Sequence, residues 1–152
     1  SDVCSSDLEQ IVKKSQLPFG VYSSKKKKTG EEKVLLIDAM GVLNALYQIA
    51  DLAVVAGSFD KSLQGHNILE PILSHTPVLF GPYMSDQKDL VDLILSCEAG
   101  KQVTLSNLEQ VVEALFYDRE TLLLLQKKGE ALRAATYKTV QNTWVSLSSF
   151  ID

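Results

Sequence analysis

Between Leu63 and Pro71 the chain reads LQGHNILEP, a short run with several groups that could do chemistry. Glu70 falls one helical turn after a potential cap at His66–Asn67. A carboxylate there can accept hydrogen bonds from two neighbouring hydroxyls, such as those of a ribose. With Ile68 and Leu69 the stretch HNILEPILS, His66–Ser74, reads as a short helix. The free N–H groups at a helix start, together with the helix dipole, favour an anion. Two further stretches have similar character. Met40, Gly41 and Val42 run from a strand end into a helix, and Gly57 and Ser58 close another strand. Glycines at 41, 57 and 65 would let backbone approach a ligand closely. The chemistry this suggests is nucleotide binding, with phosphate on the amides and sugar at Glu70.

Each of these residues also has a plainer reading. Gly57 and Gly65 suit simple turns. His66 suits a cap or a satisfied polar contact better than catalysis. Glu70 suits the first turn of a helix through the dipole alone. Lys25–Lys28 reads as a solvated loop, and Trp144 and Phe150 as helix-packing residues. The chain has neither a Walker-type phosphate loop nor the dinucleotide glycine fingerprint. With His66 and His75 as its two histidines it offers no defensible nucleophile–histidine pair. Metal-ligand spacing is absent, and nothing calls for a cofactor.

The elements that must position these groups alternate. PFGVYSS (18–24), KVLLID (33–38), DLAVVAGS (51–58) and TPVLFGP (76–82) read as strands, the last three as buried parallel ones. KQVTL (101–105) reads as an edge strand. Leu8–Ser15 reads as a helix end with Leu8, Ile11 and Val12 on one face. MGVLNALYQIA (40–50) has a helical period. SDQKDLVDLILSCEAG (85–100) has Ser85 at the cap and a stripe of Leu90, Val91, Leu93, Ile94 and Cys97. SNLEQVVEALFYD opens with the capping-box pattern of Ser106 and Glu109. From Arg119 on the chain is helical, with breaks expected near Gly129 and around Thr136–Tyr137. Such alternation implies βαβ units: an α/β fold with a Rossmann-like parallel sheet and helices on both faces. Ligands of open parallel sheets bind beyond the carboxyl ends of the strands, where Asp38–Gly41, Gly57–Pro71 and Phe80–Ser85 should converge.

The 152 residues, 45% hydrophobic and 22% charged, are enough for one domain with a core. A net charge of −4 gives no electrostatic footprint for nucleic acid. No apolar run reaches the ~18–20 residues that span a bilayer. Cys4 and Cys97 lack metal or redox spacing. Ser1–Leu8 has no apolar periodicity and reads as a non-native, adapter-derived segment, leaving 9–152 as the domain.

Several motifs, in order, go further. The chain has D-A-M-G-V-L, A-D-L-A-V-V-A-G-S, Q-G-H-N-I-L-E and P-V-L-F-G-P. It resembles the Kdo transferases, which move 3-deoxy-D-manno-octulosonic acid (Kdo) from CMP-Kdo onto a lipid A precursor. Their pattern is D-x-M-G-E-L, A-D-x-A-F-V-G-G-S, G-G-H-N-x-L-E and P-V-x-x-G-P. The wording around GHNILEP and FGPYM is similar to that of chlamydial members. The resemblance implies the carboxyl-terminal half of a GT-B glycosyltransferase, truncated at its N-terminus.

In that half Met40, Gly41 and Val42 match one CMP-contacting segment, and Asn67, Ile68, Leu69 and Glu70 another. Gly57, Ser58, Gly65 and His66 would line the same rim. Three positions depart from the pattern: Val42 stands for Glu, Gln64 for the first Gly of G-G-H-N, and Ala56 for a Gly. The resemblance places the general-base Glu, the lipid acceptor surface and the membrane association in an amino-terminal domain that the chain lacks. It therefore assigns no catalytic residue here. It implies an intact enzyme at the cytoplasmic face of the bacterial inner membrane, needing no metal, with the helix at Tyr137–Ile151 returning toward the other domain. The alternatives are the donor domain of another GT-B enzyme, such as a UDP-sugar transferase or epimerase, and a flavodoxin-like binding module.

Overall fold

The structure, a computed structural model, describes residues 2–24 and 29–148. Lys25–Lys28 and Phe150, both read from the sequence, lie outside the described residues. The chain divides into two compact units, Ser1–Leu43 and Asn44–Asp152.

The first unit holds helix α1 (Asp2–Lys14) and strands β1 (Phe19–Val21) and β2 (Val34–Leu36). The strands pair in parallel, with Phe19 opposite Val34 and Val21 opposite Leu36. Helix α1 is longer than Leu8–Ser15 and runs through most of the segment set apart as Ser1–Leu8. Its expected apolar face is open, since Leu8 and Ile11 are exposed and Val12 is half-buried. Strand β2 is parallel as expected but not buried: Leu35 is exposed and its neighbours are half-buried. In the loop before it, the Glu32 carboxylate accepts N–H bonds from Thr29 at 2.8 Å and Gly30 at 2.9 Å.

The second unit is built on a three-stranded parallel sheet in the order β3 (Ala53–Val55), β4 (Val78–Phe80), β5 (Gly100–Gln102). Helix α3 (Leu69–Leu73) joins the first two strands and α4 (Lys88–Ser96) the last two. Parallel neighbours require such crossovers. Every residue of β4 is buried, and their alternation feeds two cores. Val78 and Phe80 pack with Ile68 and Ile72 of the α3 region, Val91 and Ile94 of α4, and Leu132. Leu79 packs on the other side with Leu115 of α5 (Leu108–Tyr117) and with Leu122 and Leu125 of α6 (Arg119–Ser148). Helices therefore cover both faces of this sheet.

Several local expectations change. Helix α2 covers Leu43–Tyr47, not Met40–Ala50, and α3 covers five residues of His66–Ser74. In α4 Val91 and Ile94 are buried and Leu90 and Cys97 pack against the core, but Leu93 is exposed. A 3-10 turn at Ser85–Gln87 precedes α4, so Ser85 does not cap it with its side chain. The capping box at Ser106 does not form; the Asn107 carboxamide accepts the Thr104 N–H at 2.8 Å instead.

The last helix is unbroken. Gly129 is buried against α3, and a Cβ there would lie 3.5 Å from Ile72, an ordinary contact distance, so the glycine neither breaks the helix nor is needed for room. At the second expected break, the Thr136 hydroxyl donates to the Leu132 carbonyl at 2.9 Å, a bond made within an intact helix.

Candidate functional site

The rim beyond β3 and β4 is held by a buried serine. Ser58 donates its hydroxyl to the Val55 carbonyl and accepts the Gly81 N–H at 2.6 Å. Its own carbonyl accepts the Tyr83 N–H at 2.9 Å. The exit of β3 is thus tied to the exit of β4, as expected for Gly57–Pro71 and Phe80–Ser85. The Ser58 side chain is fully buried and its hydroxyl is spent on these bonds. It positions the rim rather than reaching a ligand, and the same burial applies to the Ile68 side chain.

From Asp60 the loop doubles back. The Asp60 carboxylate accepts the Ser62 hydroxyl at 2.6 Å and its N–H at 2.7 Å. These bonds hold its pKa below the ordinary value. Gln64 and Gly65 are both left-handed, with φ of 54° and 72°. Gln64 is fixed there by its amide, which donates to the Lys61 carbonyl at 2.8 Å and accepts the Ser85 hydroxyl. The Gly65 N–H reaches the Gly57 carbonyl at 3.3 Å. His66 then folds over Gly57, where a Cβ would fall 2.7 Å from its Nδ1. Gly57 thus provides the room for the imidazole, and His66 is an exposed ring closing a loop.

Asn67 starts the helix as expected. Its carboxamide oxygen accepts the Leu69 N–H at 3.0 Å, although the backbone cap is Ile68. Its amide nitrogen donates to Glu70 Oε1 at 3.4 Å, so Asn67 also orients the carboxylate. Leu69 packs on the core behind it. Both α2 and α3 are five residues long, so their dipoles can contribute little to anion binding.

Glu70 is half-buried and lines a cleft of about 600 Å³ with Asn44, Gln48, Ser74, His75, Arg133 and Tyr137. Near it, burial and then the Glu70 charge raise the pKa of the Tyr47 phenol. His75 faces Glu130 at 3.8 Å. A second hollow, about 390 Å³, opens beyond β4 between Lys61, Gln64, Tyr83, Met84 and Lys88. Of the residues expected at the site, Glu70 is the one that lines either cleft. Arg133 and Tyr137 were not foreseen. Their i, i+4 spacing places them on one helix face, but nothing in the sequence says that this face meets α3.

The remaining expected residues belong to the first unit. Met40 is fully exposed, Gly41 has a φ of 79° with open space around it, and Val42 is half-buried. Just before them, the Ser23 N–H donates to Asp38 Oδ1 at 2.9 Å and the Ser23 hydroxyl to Oδ2. Among the described residues no group of three or more His, Cys, Asp or Glu could hold a metal ion. No helix among them is long and apolar enough to cross a membrane.

A three-stranded parallel sheet covered on both faces, with its loops closing over the strand ends, is a Rossmann-like α/β arrangement of the kind that forms half of a GT-B glycosyltransferase. The crystal structure of the C-terminal CMP-Kdo binding domain of WaaA from Acinetobacter baumannii superimposes on it with a TM-score of 0.76, over 83% of this chain and 66% of that one, at 23% identity. The sequence identifies the particular relatives: the chain is homologous to the Kdo transferases over nearly its whole length. It is 34% identical to the 3-deoxy-D-manno-octulosonic acid transferase of Chlamydia muridarum over 142 residues, 93% of this chain and 33% of the relative. The enzyme of the same name from Haemophilus influenzae is 29% identical over 93% of this chain. A bifunctional glycosyltransferase/methyltransferase of Fusobacterium nucleatum is 37% identical over 71% of it. No protein-family model matches the sequence. The chain spans about a third of the length of the curated Kdo transferases it matches.

Proposed function

We propose that this chain is the donor-binding part of a Kdo transferase, holding the CMP portion of CMP-Kdo with Glu70 on the ribose. The observation that carries the reading is the Asn67–Glu70 pair: the amide of one residue orients the carboxylate of the other on the wall of a polar cleft. Homology to the Kdo transferases supports the choice of nucleotide. The whole protein would transfer Kdo to a lipid A precursor at the cytoplasmic face of the bacterial inner membrane. The remainder of the enzyme would supply the acceptor surface, the membrane association and the general base. In this part the chemistry is binding and orientation of the donor.

Calorimetric titration of the 152-residue chain with CMP and UDP tests the reading. CMP should bind more tightly than UDP. Glu70→Gln should weaken CMP about tenfold or more, because bonds to a charged acceptor contribute roughly 1.5–3 kcal/mol. Tighter binding of UDP would count against Kdo transfer, and unchanged CMP affinity in Glu70→Gln would remove Glu70 from the ribose.

A further inference from the structure

The cleft beside Glu70 contains a cation with no anionic partner among the described residues. Arg133 lines it and forms no ion pair among the described residues. Its Nε–H is buried with no hydrogen-bond acceptor among the described residues. Its guanidinium carbon lies over the Tyr137 ring, 5.1 Å from the centroid, a cation–π contact that restrains the side chain. A buried donor without an acceptor is unfavourable, and an oxyanion that draws the guanidinium further into the cleft would give it one.

The packing of α6 on α3 explains why Arg133 stands where it does. His75 faces Glu130, and Ile72 faces Gly129. One turn beyond Gly129 along α6 comes Arg133, and two residues before Ile72 on α3 comes Glu70. Both line the same cleft. The other charged groups nearby are Glu70, directed by Asn67, and Glu130, facing His75. A group that bonds Glu70 through hydroxyls and Arg133 through oxyanions would satisfy both walls. A 5′-nucleotide has that pattern, with a ribose diol at one end of its sugar and a phosphate at the other.

We infer that Arg133 is the phosphate-binding residue of this cleft, pairing its guanidinium fork with the phosphate of the nucleotide whose ribose meets Glu70. The inference rests on the donor reading above and adds to it a residue outside the matching motifs. A planar guanidinium can pair bidentately with a phosphate, whereas an ammonium acts as a point charge.

The test is calorimetric titration of the chain and its variants with CMP, cytidine and inorganic phosphate, alongside NMR of the Arg133 Nε–H. Wild type should bind CMP more tightly than cytidine, and CMP should shift the Nε–H signal. Arg133→Gln should weaken CMP about tenfold or more and leave cytidine unchanged, with Arg133→Lys in between. A shift of the Nε–H with inorganic phosphate alone would support phosphate recognition independent of the nucleoside. Equal CMP affinity in wild type and a folded Arg133→Gln would overturn the Arg133 assignment and leave the donor reading standing. So would equal binding of CMP and cytidine by wild type. Should Arg133→Gln fail to fold, Arg133→Lys and the Nε–H signal decide: wild-type CMP affinity with an unmoved signal overturns the assignment. A wild-type chain that binds neither CMP nor cytidine overturns both readings.

Discussion

Strands β2 and β4 come from similar sequence and end in different environments. VLLI and PVLF are both continuous apolar runs, and both strands pair in parallel. Yet Leu35 in the middle of β2 is 44% exposed, while Leu79 in the middle of β4 is fully buried. The difference lies in what covers them. Strand β4 is the central strand of three, with α3, α4 and Leu132 of α6 on one face and α5 with Leu122 and Leu125 of α6 on the other. Among the described residues of the first unit β2 has one partner strand and no layer that buries it. An apolar run therefore specifies a strand without specifying its burial. Large-to-small changes should read the contrast directly. Phe80→Ala should cost about 3–5 kcal/mol in urea unfolding, the range for a buried aromatic. Leu35→Ala should cost below ~1 kcal/mol. Equal losses would mean that β2 has a cover in solution that its own unit does not show.

The two units also use left-handed glycines differently. Gly41 and Gly65 have nearly the same φ, 79° and 72°. A Cβ at Gly41 would meet nothing within 4 Å, whereas at Gly65 it would fall 2.1 Å from the Met84 sulfur. Gly65→Ala should therefore combine backbone strain with overpacking, about 2–4 kcal/mol in all. Gly41→Ala should show the backbone part alone, about 1 kcal/mol. Thermal unfolding of both variants separates the contributions. If Gly41→Ala costs as much as Gly65→Ala, the space around Gly41 is filled in solution.

How far the sequence foretold this follows the same contrast. The βαβ alternation of the second unit was legible because each strand and helix carries its own period. Gly65 was legible as a turn. Its neighbour Gln64 was not, because a non-glycine residue at φ 54° is held by Lys61 and Ser85, partners that no local pattern reveals. The extent of α6 was misjudged because a buried Gly129 and a helix-breaking Gly look alike in one dimension. Asn67 and Glu70 were legible together because they sit one turn apart. Arg133 stayed hidden because it is the packing of α6 on α3, a tertiary contact, that brings it to the cleft Glu70 lines.

Serine cross-ties sharpen the comparison. Ser58 joins the exits of β3 and β4 from a fully buried position and is the acceptor for the Gly81 N–H. Ser58→Ala leaves that buried N–H without its partner and should cost about 1–3 kcal/mol, read as a lowered Tm. It should also loosen the loop leading to Asn67 and Glu70, weakening CMP as well. A variant with wild-type stability would show that Ser58 contributes nothing to the rim.

The corresponding tie in the first unit joins Ser23 to Asp38 at the ends of β1 and β2, and it is exposed. Here the effect should be small and electrostatic. The Ser23 hydroxyl, and then its N–H, hold the Asp38 carboxyl below its ordinary value of 3.8. A folded-state pKa lower than the unfolded one gives stabilisation that is present above the unfolded value and lost as pH falls through the folded one. The contribution should thus be intact at neutral pH and fade below about pH 3.8. Carboxyl carbon NMR titration should place the Asp38 midpoint below that value, and Ser23→Ala should return it toward 3.8. Because water competes at both ends of the bond, the same substitution should leave the unfolding midpoint at pH 7 nearly unchanged, unlike Ser58→Ala. A Ser23→Ala variant as destabilised as Ser58→Ala would mean that the first unit's strand ends are buried in solution, and the contrast between the two sheets would fail where it is most exposed to solvent.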